Sequence, residues 1–207
     1  MVNQEQVLEI LHAVGEKISE EKLFLTELDN VIGDGDHGIN LARGFAEVEK
    51  KRPMMESKDI GTMLKTTGMA LVSTVGGASG PLYGTAFMQA GKALAGKTEL
   101  DAQDLVTILD AFVAGVQLRG KSVAGEKTML DAMIPARDAV KAALDAGKSA
   151  KEALSDGVAA AEQGVEYTKT IIATKGRASY LGERSLGHQD PGATSFTTML
   201  RVVAEHV

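Results

Sequence analysis

The stretch VLEILHAVGEKI, residues 7–18, decides the fold class, because its apolar side chains recur every three or four residues. This spacing places one set of side chains on a single helix face: Val7, Leu8, Leu11, Val14 and Ile18. A second stripe of the same kind comprises Leu105, Ile108, Leu109, Phe112 and Val116. Both patterns predict amphipathic helices that bury one face in a shared core.

The helical period continues along most of the chain. It predicts eight helices, over residues 3–22, 39–51, 58–74, 82–95, 100–119, 129–146, 149–173 and 193–206. No segment has the alternation of a strand, and Thr98 and Ser149 are interpreted as helix caps. Long helices joined by short connections indicate an antiparallel bundle. We therefore expect an all-α protein in which residues 1–207 form a single domain.

Composition narrows the functional class. The chain has no Cys, which excludes disulfides and thiolate metal sites. It has 28 Asp and Glu against 22 Lys and Arg, a net charge of −6, so a nucleic-acid partner is not expected. Its polar N-terminal residues and its interrupted apolar runs indicate neither a signal peptide nor a membrane span. We expect a cytoplasmic protein without a membrane partner.

Four segments rich in glycine and polar residues break the helical pattern: 29–38, 76–81, 120–128 and 174–192. The first, within LDNVIGDGDHG at residues 28–38, places Asp29, Asp34 and Asp36 close together. Three neighbouring carboxylates repel one another unless a cation binds among them, and oxygen ligands favour Mg²⁺ or Ca²⁺. The segment therefore predicts a metal site that binds a phosphorylated ligand. The alternative is a solvated acidic turn that caps the next helix.

Two other segments supply candidate anion contacts. The stretch VGGASGP, residues 75–81, has backbone amides exposed by glycine ahead of a helix, although a flexible turn explains it equally well. Segment 174–192 carries Arg177 and Arg184, which either neutralise phosphate or are solvated. The patterns at Gly91–Thr98 and Gly115–Ser122 match a P-loop formally, but no strand precedes them.

Three motifs together resemble the nucleotide-binding (L) subunit of dihydroxyacetone kinase, of the phosphoenolpyruvate-dependent type. They are LDNVIGDGDHG at 28–38, GGASGPLYGT at 76–85 and GRASYLGER at 176–184. The resemblance covers essentially the whole chain. It implies a closed barrel of eight antiparallel helices, with the nucleotide site in loops at one end. It also implies ADP or ATP as cofactor, together with two Mg²⁺ held by Asp29, Asp34 and Asp36.

The resemblance further implies which residues contact the nucleotide. They are His37, Gly38, Ile39, Asn40, Ala78, Ser79, Gly120, Met129, Arg177, Asp190, Pro191 and Gly192. Arg177 is expected to be catalytic, because a guanidinium group stabilises charge on a transferring phosphoryl group.

The implied reaction needs partner subunits. A phosphohistidine carrier (M-type) subunit, fed by phosphoenolpyruvate, phosphorylates bound ADP, and the phosphoryl group passes to dihydroxyacetone on the K subunit. A homodimer is also expected. Three alternatives stay open: an ATP-dependent ketose kinase whose nucleotide exchanges freely, a nucleotide-dependent binding module for a transcription regulator, and a degenerate structural homologue.

Overall fold

The computed structural model describes all residues, 1–207, and most of them are helical. The α-helices are α1 Gln4–Glu20, α2 Lys22–Ile32, α3 His37–Met55, α4 Ile60–Thr74, α5 Ser79–Ala93, α6 Ala102–Gly120, α7 Leu130–Asp145, α8 Ala150–Thr168 and α9 Pro191–His206. A 3₁₀-helix spans Arg177–Ser185. Two short strands, β1 Val2–Asn3 and β2 Glu99–Leu100, pair antiparallel with Val2 opposite Leu100. No helix combines the length and the apolar composition that crossing a bilayer requires.

The helices contact one another in a cyclic series. Each helix from α3 to α8 packs against the next in sequence, and α1 packs against both α3 and α9. The additional helix, α2, contacts α3 and α9. As a result, the ends of several helices lie together, and the connections between them can build one site.

One continuous cluster of buried apolar side chains fills the interior. Both sequence stripes belong to it: Ile18 and Val116 are almost completely buried, and Ile108 packs against the cluster from its edge. Three phenylalanines stack edge to face in this interior. The ring centroid of Phe87 lies 6.5 Å from that of Phe45 and 4.8 Å from that of Phe112. Such pairs contribute beyond the area they bury.

Nine α-helices are present where the sequence predicted eight. The predicted helix 3–22 ends at Glu20, and α2 then begins at Lys22 and runs into the predicted loop 29–38. The predicted helix 149–173 ends at Thr168, and segment 174–192, expected to lack regular structure, contains the 3₁₀-helix. The helical class is confirmed, whereas the predicted helix count and these boundaries are wrong.

One predicted cap is confirmed and the other is wrong. The Ser149 hydroxyl accepts from the backbone N–H of Glu152, and the Glu152 carboxylate accepts from that of Ser149, which is a complete capping box. Thr98 does not cap α6. Because Glu99 and Leu100 pair with β1, the helix starts later, and Asp101 caps it with Asp104.

Candidate functional site

Four connections meet at one end of the helices and enclose a cavity of about 480 Å³. They are the links α2–α3, α4–α5, α6–α7 and α8–α9. Most of the predicted site residues line it: Asp29, Asp34, Asp36, His37, Ala78, Ser79, Gly120, Met129, Arg177, Asp190, Pro191 and Gly192. The sequence-predicted loops therefore form one site although they are far apart in the chain.

Four α-helices begin at this cavity. Residues at the N-terminal ends of α3, α5, α7 and α9 line it, as do residues at the C-terminal end of α6. Helix N-termini present unpaired backbone N–H groups and a partial positive charge, so they favour anions. At α3 and α9 the side chains of Asp29 and Asp190 already accept from some of these groups, whereas no side chain caps α5, so α5 offers free donors for an anion.

The three aspartates converge on one wall. Asp29 lies in the last turn of α2, and Asp34 and Asp36 follow in the α2–α3 link. One carboxylate oxygen of each lies within 4.8 Å of the others. Asp29 is buried, and its Oδ2 accepts from the backbone N–H of Asp36 at 2.9 Å and of His37 at 3.1 Å. These bonds fold the acidic link back onto α2.

Glycine is required in this link for two reasons. A side chain at Gly33 would place its Cβ 2.0 Å from Oδ1 of Asp29. Gly35 has φ +72°, in the left-handed region, and a Cβ there would lie 1.9 Å from the amide oxygen of Asn30. Since L-residues avoid this backbone conformation, glycine lets the chain turn tightly enough for the carboxylates to meet. Three convergent hard oxygen donors fit Mg²⁺.

Arg177 lies beside the acidic cluster. Its Nε donates to Oδ2 of Asp34 at 2.8 Å, and its side chain is about two-thirds exposed. It begins the 3₁₀-helix in the α8–α9 connection (residues 169–190). The guanidinium group is therefore at the mouth of the cavity, next to the candidate metal ligands.

His37 joins three helices at the back of the cavity. Its Nδ1 lies 2.8 Å from the hydroxyl of Ser79, and its Nε2 lies 2.9 Å from that of Ser195. The Tyr83 hydroxyl lies 2.8 Å from the Ser195 hydroxyl and donates to the carbonyl of Gly192. Burial lowers the pKa of His37 to about 4, although the nearby Asp29 opposes the shift. The imidazole is therefore neutral at pH 7.

Asp190 caps α9 at the cavity wall. Its carboxylate accepts from the backbone N–H of Ala193 at 2.7 Å, and its own N–H donates to the hydroxyl of Thr168. Burial raises the pKa of Asp190 to about 7, and Asp131 and Asp29 act in the same direction, while Lys127 opposes them. A carboxyl group here is half protonated near neutral pH.

Three predicted contacts lie outside the cavity lining. Gly38 lets α3 approach α2, since a Cβ there would lie 2.0 Å from the Lys22 carbonyl oxygen. Ile39 is half exposed, and Asn40 is buried with its amide oxygen accepting from Arg43. Their roles in nucleotide contact stay predictions.

Sequence reasoning missed Lys127, a basic residue in the cavity wall. It lies in the α6–α7 loop (residues 121–129) and is 1% exposed. Its backbone φ of +61° costs a non-glycine residue roughly 1–2 kcal/mol. Within GEKTML, residues 125–130, nothing distinguishes it from a solvated lysine. Arg119 and Lys175 also line the cavity and were not predicted.

Clustered carboxylates that face helix N-termini in a helical domain are typical of metal-dependent phosphate-binding domains. Comparison with known proteins gives the family. The model described as the DAK2 domain matches residues 31–205. The chain therefore belongs to the DAK2 domain family.

Two similar proteins match almost end to end. The chain is 45% identical over 203 residues to the ADP-binding subunit DhaL of PEP-dependent dihydroxyacetone kinase 1 of Listeria innocua, covering 98% of this chain and 96% of that protein. It is 44% identical over 203 residues to the ADP-binding subunit DhaL of the PEP-dependent dihydroxyacetone kinase of Escherichia coli K12, covering 98% and 97%.

A solved structure shares the fold. The dihydroxyacetone kinase of C. freundii, in complex with AMP-PNP and Mg²⁺, superposes with a TM-score of 0.72 at 26% identity. The superposition covers 96% of this chain and 33% of that kinase. The chain thus spans about a third of the C. freundii enzyme.

Proposed function

We propose that the chain is the ADP-binding subunit of a PEP-dependent dihydroxyacetone kinase, a phosphotransferase that acts only with partner subunits. One observation carries the proposal: three convergent carboxylates face a cavity at which four helices begin. This combination suits a nucleoside diphosphate bound partly through metal ions. The names of the Listeria and Escherichia relatives, which are ADP-binding subunits, support the same assignment.

Asp29, Asp34 and Asp36 would hold two Mg²⁺ ions, as the family resemblance implies. When bound, these ions supply charge neutralisation and orientation of phosphate oxygens for in-line transfer. Asp29 is fixed in place by the backbone N–H groups of Asp36 and His37. The short link around Gly33 and Gly35 brings the other two carboxylates to it.

The remaining residues orient the nucleotide. Ala78 and Ser79 present the N-terminus of α5 to phosphate, and Gly192 presents that of α9, with Asp190 and Pro191 beside it in the cavity wall. Arg177 would stabilise negative charge on the phosphoryl group in transit, and its position beside Asp34 supports this role. Gly120 and Met129 border the same cavity and suit the nucleoside.

The proposed reaction route is the one that the family resemblance implies, and the names of the Listeria and Escherichia relatives, both subunits of PEP-dependent kinases, support it. Bound ADP would accept a phosphoryl group from a phosphohistidine (M-type) protein fed by phosphoenolpyruvate, and dihydroxyacetone on a K subunit would receive it. A second route, free exchange of ATP, is kept because the C. freundii kinase was solved with AMP-PNP, an ATP analogue. A homodimer, contact with a transcription regulator and a cytoplasmic location stay predictions.

We propose that α1 and α3 to α9 form the closed barrel of eight antiparallel helices, with α2 as an addition that carries Asp29. The cyclic contacts among these eight helices support it. The cavity then occupies one open end of the barrel.

The first experiment is to purify the protein without added nucleotide and to identify any bound nucleotide by mass spectrometry. ADP that is retained, and released only by a chelator, supports the cofactor role. Reversible binding of ATP with Mg²⁺ by an empty protein supports the ATP-dependent route. A protein that binds neither nucleotide contradicts the proposal.

A further inference from the structure

Lys127 is the least exposed charged side chain in the cavity wall, and its ammonium group satisfies backbone carbonyls rather than a carboxylate. It donates to the carbonyl oxygens of Thr168 and His188, each at 2.5 Å, and lies 3.5 Å from that of Ile171. An ammonium group has three donors, so these three oxygens account for all of them. All three belong to the end of α8 or to the α8–α9 connection.

No backbone N–H of a turn or loop donates to these three carbonyls. The Thr168 carbonyl is in the last turn of α8, where backbone acceptors have no partner within the helix. A cation at this end also interacts favourably with the helix dipole. Ile171 and His188 lie near the two ends of the α8–α9 connection. A single side chain therefore holds both ends of that connection.

The backbone at Lys127 supports the importance of this side chain. It adopts a left-handed conformation that glycine would adopt without strain, yet the sequence has a lysine there. Lys121, in the same loop, has a similar φ of +52°, but its side chain is exposed. The two lysines thus share a backbone conformation and differ in the contacts of the ammonium group.

We propose that Lys127 is a positioning residue of the nucleotide site, fastening the α8–α9 connection, which carries Arg177 and Asp190, to the α6–α7 loop, which carries Met129. The effect on nucleotide binding rests on the function proposed above. Besides Lys127, one backbone bond joins the two segments, from the N–H of Thr174 to the carbonyl of Glu126.

The rest of the connection has few anchors. A small apolar cluster of Ile32, Ala173 and Ala178 attaches it to α2, and the half-exposed pair of Arg177 with Asp34 adds little. Its last residues are tied to the flanking helices by Asp190 N–H on the Thr168 hydroxyl and by the Gln189 amide on Thr194. Segments with few buried apolar contacts open locally at low free energy. Removing the ammonium group should therefore release this connection while the helical core stays folded.

The test compares Lys127→Met, which keeps the aliphatic chain and removes the donors, with the matched control Lys121→Met. Amide hydrogen exchange is measured by mass spectrometry on the nucleotide-free protein. We expect exchange over residues 169–190 to accelerate at least tenfold in Lys127→Met and to be unchanged in α1 and α4. Lys121→Met should match the wild type throughout.

Nucleotide affinity is measured on the same variants by titration calorimetry with ADP and Mg²⁺. We expect about tenfold weaker binding for Lys127→Met, at least partial restoration in Lys127→Arg, which keeps the cation, and no change for Lys121→Met. If Lys127→Met does not fold, Lys127→Gln, which retains two donors, replaces it in both measurements.

Three results would overturn the positioning role: unchanged exchange over residues 169–190, equal acceleration in all helices, or Lys127→Arg binding no better than Lys127→Met. A wild-type protein that fails to bind ADP with Mg²⁺ contradicts the proposed function instead. In that case the exchange measurement, made without nucleotide, still decides whether Lys127 holds the connection.

Discussion

The two ends of the helical bundle are built from the same helices and differ completely in chemistry. At one end α6 and α9 contribute Arg119, Gly120, Pro191 and Gly192 to a large polar cavity. Toward the other end the same helices line a smaller cavity, about 140 Å³, with apolar side chains alone. The polar end leaves carboxylates and helix N-termini available, whereas the apolar end buries side chains that stabilise the fold.

This contrast separates ligand binding from stability along a single helix. Within α6, Leu105, Leu109 and Phe112 belong to the apolar interior, and residues of the last turn line the site cavity. Substitutions at the polar end should therefore weaken ligand binding without unfolding the chain. Substitutions at the apolar end should lower stability without changing the affinity of the folded protein.

The strongest test at the polar end is Asp34→Asn, which removes one metal ligand and keeps the side-chain shape. We expect at least a thousandfold loss of Mg²⁺-dependent ADP affinity, about 4 kcal/mol, because the carboxylate charge is lost. The melting temperature should change little, since Asp34 lies in a loop and its partly exposed pair with Arg177 contributes little stability. Titration calorimetry and thermal melts measure the two effects. Glu27→Gln, the same chemical change at an exposed position on α2, is the control, and normal affinity in Asp34→Asn would refute the metal assignment.

The matching test at the apolar end is Phe112→Ala. Phe112 is buried and stacked on Phe87, so its truncation should lower the free energy of unfolding by about 3 kcal/mol. The ADP affinity of the folded variant should stay within about twofold of the wild type. Leu118→Ala, at an exposed position on the same helix, should change stability by less than about 0.5 kcal/mol. Urea denaturation measures both variants, and a large loss of ADP affinity in Phe112→Ala would contradict the separation of the two ends.

The polar end should also show two opposed pH dependences. Between pH 6.5 and 4 the unfolded chain protonates His37 and the folded protein does not, so His37 lowers stability on acidification by about 3 kcal/mol. Between pH 3.8 and 7 the folded protein keeps a proton on Asp190 that the unfolded chain has released. The stability that Asp190 contributes is therefore full below pH 3.8, falls as the pH rises, and is lost once the pH has passed 7. These contributions nearly cancel in the wild type.

Asp190→Asn removes the pH-dependent contribution of Asp190, leaves that of His37, and keeps a residue that caps helices well. We expect the variant to lose stability on acidification from pH 6.5 to 4.5 more steeply than the wild type, by about 2 kcal/mol over this range. Denaturant unfolding at half-unit pH steps measures it. Asp101→Asn, the same change at the exposed cap of α6, should show the same dependence of unfolding free energy on pH as the wild type. If the pH profiles of Asp190→Asn and the wild type run parallel, Asp190 does not titrate as described.

The smallest effect is expected from filling the apolar cavity. Val14 lines this cavity, and Val14→Ile adds one methylene group that should increase the free energy of unfolding by about 0.8 kcal/mol. Val48→Ile, in the packed core away from the cavity, should instead lower it by about 1 kcal/mol through overpacking. Equal destabilisation of both variants in urea would mean that the cavity does not accept the added group.

The helices of the apolar end could be predicted from sequence, because their buried side chains are apolar and recur at helical spacing. The stripe from Val7 to Ile18 is buried as expected. Helix α2 escaped prediction because its buried positions include Thr26 and Asp29, and its exposed ones include Leu23 and Phe24. Polar residues on the inner face thus removed the periodic signal that would have revealed the helix.

The polar end could be predicted in part, from the unusual density of aspartate and glycine at residues 29–38. Its carboxylates converge because the chain turns at Gly33 and Gly35, and these glycines are visible in the sequence. Lys127 could not be found in this way. Its acceptors are backbone carbonyls more than 40 residues away, and a carbonyl has no residue type to recognise.

The hydrogen-bonded chain around His37 has a consequence for Ser79 that follows from counting protons. The Tyr83 and Ser195 hydroxyls have one proton each, to share among their contacts with each other, with the Gly192 carbonyl and with Nε2 of His37. The neutral imidazole has a single N–H, so it donates to one of Ser79 and Ser195 and accepts from the other. The proton that Ser79 presents to the cavity is therefore set by the His37 tautomer: with the imidazole proton on Nδ1 the Ser79 hydroxyl is free to donate into the cavity, and with it on Nε2 the Ser79 hydroxyl donates to Nδ1 and turns its lone pairs there.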